Sequence, residues 1–158
     1  MGVELRPMRD DEFAAWAPRM RDEYARAMID EGGFPAAGAA EKAAADLERL
    51  FPDGLPASEQ LVFVLEADGD AVGELWLAER EDMGQRILFV YDIHVAEAHR
   101  GRGHGKAAML LAEEEARRRG VERVALNVFG RNTTARSLYR SLGYEENAVA
   151  MSKSLAAD

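Results

Sequence analysis

The sequence predicts an α/β fold, a mixed central β-sheet with helices on both faces, and three observations carry that expectation. Amphipathic helical stretches and short apolar runs follow one another along the 158 residues in the order β-α-α-β-β-β-α-β-α-β. One of those runs, Ile87 to Val95, is apolar almost throughout, which suits a central strand covered on both faces. No repeat, linker or low-complexity tract divides the chain. Residues 1–158 therefore read as a single domain, long enough to bury a full core without disulfides or metals.

Val3 to Met8 opens the sheet. Asp10 and Asp11 are N-cap candidates for a helix to about Asp30, with Phe13, Trp16, Met20, Tyr24 and Met28 at helical spacing. Gly32-Gly33 stops it, and Pro35 suits the first turn of a second, alanine-rich helix ending near Leu50. The stretch from Phe51 to Pro56 is a loop by its prolines and glycine. Leu61 to Glu66 is the next strand, and Asp68-Gly69 signals a hairpin into Ala71 to Ala78. A loop from Glu81 to Gln85 then leads into Ile87 to Val95. Gly105 to Arg119 forms a helix with a basic last turn, capped by Gly120 in the left-handed conformation. Arg123 to Val128 is a strand, Asn132 to Ser141 a helix closed by Gly143, and Ala148 to Ser152 a final strand.

Composition narrows the chemistry. Cysteine is absent, which excludes a disulfide, a thiolate metal site and a cysteine nucleophile together. Three scattered histidines (His94, His99, His104) without a HExxH pattern give no basis for a metal site. No run approaches a membrane span, and Met1-Gly2-Val3-Glu4 begins no signal peptide, so the cytoplasm is the expected compartment. A net charge of −9 argues against nucleic acid. The distribution of charge says more: Ala98 to Leu142 carries ten Lys/Arg against four Asp/Glu, and the rest of the chain −15. The basic segment favours a polyanionic ligand and the acidic remainder a cationic partner. Arg117 to Arg119 as a solvated helix end explain part of the asymmetry.

Arg100-Gly101-Arg102-Gly103-His104-Gly105 lies between a strand and a helix start, an arrangement that binds anions. First-turn amides point outward, the helix dipole adds positive potential, and glycine lets backbone approach phosphate oxygens. Arg100, Arg102 and Lys106 add charge. A Walker A loop would need Gly at 100 and Ser or Thr at 107, which are Arg100 and Ala107. Gly103-His104-Gly105-Lys106-Ala107-Ala108 matches a dinucleotide fingerprint formally. Its next strand, however, ends without the acidic ribose ligand, and the loop follows the fourth strand rather than the first.

The glycine loop resembles the pyrophosphate-binding signature of the GNAT superfamily of N-acetyltransferases. Leu126-Asn127-Val128-Phe129-Gly130-Arg131-Asn132, with Ala135, Leu138-Tyr139 and Leu142-Gly143-Tyr144, is similar to that family's second motif, in the right order and at the usual distance. Phe89-Val90-Tyr91-Asp92 and Leu126 to Tyr139 are closest in wording to small uncharacterised bacterial members. The resemblance implies a GNAT fold and acetyl-CoA as donor, with no metal. It implies that backbone of the Ile93, His94 and Val95 stretch pairs with the pantetheine arm, entering where the strands ending at Val95 and Val128 splay apart. Amides from Gly101 through Arg102, Gly103, His104 and Gly105 to Lys106 would hold the pyrophosphate. The Asn132 side chain would bond the pantetheine, and the Tyr139 hydroxyl would lie near the sulfur.

Transfer to an amine needs a free lone pair, a polarised carbonyl and a proton for the departing thiolate. Without cysteine, direct attack in a ternary complex is the natural route, with Tyr139 as general acid. The base is open. Some family members carry a glutamate five residues before the motif asparagine, where this chain has Asn127. Asp92, Tyr91 and Glu74 are the candidates, and a strand bulge in the family leaves open which of Tyr91 and Asp92 faces the cleft. A structural hydrogen bond explains Asp92 as readily as catalysis does. His94 is read as an ordinary strand histidine, and Trp16, Tyr24 and Trp76 as core rather than acceptor pocket. Glu23 and Glu31 suit a cationic amine or a solvated face. The expected acceptor is a small cationic amine. A protein N-terminus or lysine is the alternative, as is a non-catalytic acyl-CoA-binding sensor, and a homodimer stays open.

Overall fold

A computed structural model describes residues 2–52, 56 and 58–156 of the chain. In chain order its elements are β1 (Val3–Pro7), α1 (Asp10–Asp30), α2 (Ala36–Leu50), β2 (Gln60–Ala67), β3 (Asp70–Asp82), β4 (Gln85–Val95), a short turn of 3-10 helix (Glu97–His99), α3 (His104–Arg118), β5 (Val124–Leu126) and α4 (Thr133–Ser141). The strands form one sheet in the order β1-β2-β3-β4-β5. The first four are antiparallel neighbours, and β4 pairs with β5 in parallel, so the sheet is mixed.

Alternation along the strands sorts side chains onto two faces. Leu65, Leu75, Leu77, Leu88 and Val90 pack against Ala108, Met109, Ala112 and Ala116 of α3. On the other face Val62 and Trp76 pack against Phe13, Trp16 and Met20 of α1 and against Phe51 after α2. The expected helix spacing in α1 therefore holds for Phe13, Trp16, Met20 and Met28, all buried, whereas Tyr24 lies at the surface with 36% exposure. No helix among the described residues is long and apolar enough to cross a membrane.

Local chemistry explains most boundaries and moves a few. Asp68 and Gly69 have φ of 53° and 84°, the doubly left-handed turn that closes a two-residue hairpin between twisted strands. A second such turn, Met83-Gly84 with φ of 50° and 79°, replaces the expected loop from Glu81 to Gln85. Asp82 pairs with Gln85, so both strands run to the turn itself. Met-Gly is not a pair that announces this turn, which is why only the glycine was readable. Arg9, not Asp10 or Asp11, occupies the cap of α1; the Glu12 carboxylate accepts from its amide at 3.0 Å and is gripped by Arg6 at 2.8 and 3.0 Å. Asp10 and Asp11 fall in the first turn, where carboxylates meet the positive helix end. Pro35 precedes α2 instead of entering it. The expected loop from Phe51 to Pro56 lies partly outside the described residues.

The largest departure is at the C-terminus. Ala148 to Ser152, expected as a strand, belong to no sheet, with Val149 70% and Met151 91% exposed. Side-chain alternation marks a segment fit to be a strand, but a strand also needs pairing, and among the described residues this segment pairs with no edge.

Gly73 shows how tightly β3 and β4 meet near Val95, the end of β4. A Cβ there would stand 2.1 Å from the His94 carbonyl oxygen, a backbone atom that cannot move aside. Gly73→Ala is expected to cost about 2 kcal/mol by overpacking, lowering Tm by roughly 4–8 °C for a chain of this size. Thermal unfolding with an unchanged Tm would show that the two strands separate easily there.

Candidate active site

The site begins where the sheet loses its pairing. β5 matches β4 only at Leu88, Phe89 and Val90. Beyond that point Tyr91 to Val95 are paired on the β3 side alone, leaving one backbone edge open over roughly 17 Å at about 3.3 Å per residue. The strands thus part earlier than at the expected ends, Val95 and Val128. At the same place the β3–β4 register slips: Leu77 faces Val90 and Trp76 faces Asp92, so Tyr91 is one residue too many. A bulge cancels the alternation for one step. Tyr91 stacks on Trp76 with ring centroids 4.4 Å apart, and Asp92 is the cross-strand partner of the same tryptophan. Both candidates therefore face the α1 side, and the choice between them that the sequence left open does not arise.

Asp92 is partly exposed, and among the described residues nothing hydrogen-bonds its carboxylate. Its pKa is pushed up to about 7, first by loss of solvent around the carboxyl and then by the negative charges of Glu23 and Glu74, with Arg19 opposing them. Glu74 faces His94 across the strands, two positions from the Trp76–Asp92 pair and so on the same face. One of its oxygens accepts from Arg19 at 2.6 Å; the other is buried and without a partner among the described residues. Arg19 also lies 3.6 Å from Glu23, one turn along α1. Sequence reading named Glu23 but missed Arg19, since only the fold sets α1 against β3. The Tyr139 hydroxyl, on α4, is raised by burial and then by the charge of Asp92, so the two groups lie within electrostatic reach. Tyr139 packs against the α3-side core, whereas Asp92 is on the α1 face. Their electrostatic link crosses the sheet beyond Val90, where β5 no longer pairs with β4.

The glycine loop closes one end of this gap. Gly101 and Gly103 have φ of 77° and 81°, and Gly103 is the capping position of α3, which begins at His104. Nothing lies within 4 Å of where a side chain would start at either glycine, so the loop is an open cradle whose shape requires φ values that other residues adopt at a cost. The first helical bond runs from Ala107 to the Gly103 carbonyl at 3.0 Å, leaving the amides of His104, Gly105 and Lys106 unmet within the helix. Arg102 and Lys106 project into solvent beside them. Arg100 does not: its Nε donates to the Val95 carbonyl at 2.9 Å, bracing the loop against the strand end. A Cβ at Gly105 would stand 3.6 Å from the Leu138 side chain of α4, so α3 and α4 meet at the cradle.

Asn132 caps α4, its Oδ1 accepting from the Ala135 amide at 3.1 Å, while its Nδ2 donates to Glu31 at 3.5 Å. Glu31, expected either to meet a cationic amine or to lie on a solvated face, ties the end of α1 to the start of α4. Beside it Phe129 sits so close to Gly32 that a Cβ there would be 2.6 Å from the ring. Gly32 was readable as a helix stop, but its accommodation of Phe129 was not. Trp16 and Trp76 are core residues, 2% and 4% exposed, as expected. A cavity of about 350 Å³ lies at the opposite end of the sheet, near Pro7, Phe63 and Glu115, away from all of these groups.

The sequence pattern of the Acetyltransferase (GNAT) family matches residues 17–144. The chain is 31% identical to the uncharacterized N-acetyltransferase YycN of Bacillus subtilis over 98% of this chain and 100% of that protein. The crystal structure of YycN superposes with a TM-score of 0.89 over 98% of this chain and 99% of that one. YdgE of the same organism, another uncharacterized N-acetyltransferase, is 33% identical over 98% of this chain and 99% of its own. Streptothricin acetyltransferase of Streptomyces lavendulae is 32% identical over 62% of this chain and 57% of its own.

The raised pKa of Asp92 has a consequence for stability. A carboxyl whose folded pKa of about 7 exceeds its ordinary value of 3.8 favours the folded state in its protonated form. Its ionisation costs nothing below about pH 4, and the penalty grows as pH rises through 7. Asp92→Asn mimics the protonated form, so it is expected to leave Tm unchanged at pH 4 and raise it by several degrees at pH 8. Equal shifts at both values would mean that Asp92 ionises without penalty.

Proposed function

The chain belongs to the acetyltransferase (GNAT) family and is an acetyl-CoA-dependent N-acetyltransferase, and we propose that it acetylates a primary amine on a small cationic molecule, by direct transfer in a ternary complex. The observation that carries this reading is the bulge that sets Asp92, with a pKa of about 7, across the β4–β5 gap from Tyr139.

Acetyl-CoA supplies an activated acyl thioester. The open cradle from Gly101 to Lys106 fits a pyrophosphate, and the unpaired edge of Ile93, His94 and Val95 fits the amides of a pantetheine arm. Asn132 keeps only its amino group for that arm, its carbonyl being used by the helix cap. Asp92 is about half ionised near neutral pH, matched to take a proton from an ammonium and free its lone pair. Tyr139, held protonated by burial and by Asp92, donates a proton to the leaving sulfur. Glu74, with one unpartnered oxygen, and Glu23 attract the cation, while Tyr91 on Trp76 gives the acceptor a flat wall. Streptothricin acetyltransferase is a relative named for a small molecule, the acceptor class to which these acids and this wall point.

The test is release of free CoA thiol from acetyl-CoA across a library of amines and peptides. Small polyamines or aminoglycoside-like amines are expected to raise release above background. Activity with peptides alone would transfer the reading to a protein acceptor, and binding of acetyl-CoA without release by any amine would make the chain a sensor. In Tyr139→Phe, kcat is expected to fall on the order of a hundredfold with acetyl-CoA affinity unchanged; unchanged kcat would remove the acid role. The wild-type kcat/KM is expected to rise with pH through about 7. Asp92→Asn should lose that limb, and its persistence in the variant would assign it to another group.

A further inference from the structure

Three carboxylates and one guanidinium meet on the α1 face of the sheet: Asp92 on β4, Glu74 on β3, and Glu23 with Arg19 on α1. The acids are alike in chemistry, yet the guanidinium does not serve them alike. Arg19 donates to Glu74 at 2.6 Å and lies 3.6 Å from Glu23. Among the described residues, no hydrogen bond or ion pair ends on Asp92. Glu23, one turn further along α1, steers the guanidinium from its own helix, and Glu74 receives it on the sheet. Glu74 has the greater need of it: its side chain is 19% exposed, and its second oxygen is buried without a partner among the described residues. A carboxylate so placed is costly unless a cation offsets it.

We propose that Arg19 is the positioning residue that decides which carboxylate of this cluster serves as the base: it keeps Glu74 occupied and leaves Asp92 free to exchange the proton. The proposal rests on the reading of Asp92 as the base for transfer to an amine. In that step an ammonium N–H bond breaks and an O–H bond forms on Asp92, whose electron pairs no donor holds. Glu74 is on the same face, two positions along, and would be an equivalent acceptor if the guanidinium did not engage it. Arg19 acts on Asp92 as well, since its charge opposes those of Glu23 and Glu74 and keeps the carboxyl from holding its proton more tightly still. The other titratable groups near this face make no ion pair with Asp92 or Glu74 among the described residues. Tyr91 and His94 share the strand and face of Asp92, and His94 stands opposite Glu74. Tyr139 reaches Asp92 electrostatically from α4, while Lys42 and Asp46 of α2 pair with each other at 3.2 Å. The one charge that treats the two acids differently is Arg19.

The Asp92 carboxyl can be followed by carbon NMR on aspartate-labelled protein with no acceptor present. Arg19→Gln is expected to raise its midpoint by roughly one pH unit, the effect of one nearby charge. Glu74→Gln is expected to lower it, because one neighbouring negative charge is gone, and Arg19→Lys, which keeps the cation, to stay near wild type. A second arm reads turnover as thiol release from acetyl-CoA with spermidine as the amine probe. Asp92→Asn is expected to lose on the order of a hundredfold. Adding Arg19→Gln to that variant is expected to recover about tenfold, since Glu74 is then free to take the proton. A residue that merely joined α1 to β3 would recover nothing on removal and would leave the Asp92 midpoint where it was. An unmoved midpoint in Arg19→Gln, or a double variant without recovery, would overturn the proposal. Full turnover in Asp92→Asn alone would instead remove the base reading on which it rests.

Discussion

The extra residue in β4 is the constraint on which the rest of the site depends. Tyr91 faces no partner on β3, and its insertion rotates the following segment so that Tyr91 and Asp92 both face α1. The strand bends where its parallel neighbour stops, after Val90 opposite Leu126. Without that slip the alternation would send Asp92 into the α3-side core among Leu77, Leu88 and Val90, where a carboxylate has no partner. The displacement puts a titratable group at a gap that crosses the full thickness of the sheet. A group held on α4 can then influence one facing α1, which an intact sheet would prevent.

Around that gap the molecule divides its electrostatic work. The helix start at Gly103 and the cations Arg102 and Lys106 supply positive potential at one end. Glu23 and Glu74 supply negative potential on the α1 face, with Arg19 between them preventing full mutual repulsion. Asp92 is affected by both the acids and the loss of water, and its affinity for a proton rises accordingly. The segment charges foreshadowed this division, since the basic stretch from Ala98 to Leu142 contains the cradle and the acidic remainder contains α1 and β3.

Periodicity and punctuation gave the helices, the sheet class and the Asp68-Gly69 turn, because these are set by nearest neighbours along the chain. The glycine loop was readable for the same reason: left-handed backbone at Gly101 and Gly103 is a local demand with a local residue solution. What escaped reading was pairwise and distant. Arg19 meets Glu74 across 55 positions, Asn132 meets Glu31 across 101, and Gly73 is glycine because of a carbonyl on another strand. The Met83-Gly84 turn escaped because methionine in a left-handed conformation carries no signature. The final strand was over-read, since alternation describes a surface and says nothing of the edge it meets.

Asn132 illustrates how a small contact restricts what can replace a residue over generations. Its carbonyl serves the helix cap, a role that aspartate fills equally well. Its amino group faces Glu31, where aspartate would bring two carboxylates together. Serine or threonine would keep the cap and abandon the tether. Drift at this position is therefore coupled to position 31: a lineage that loses the amide gains by losing the glutamate as well. The two should vary together among descendants of this fold, even though one lies near its beginning and the other near its end.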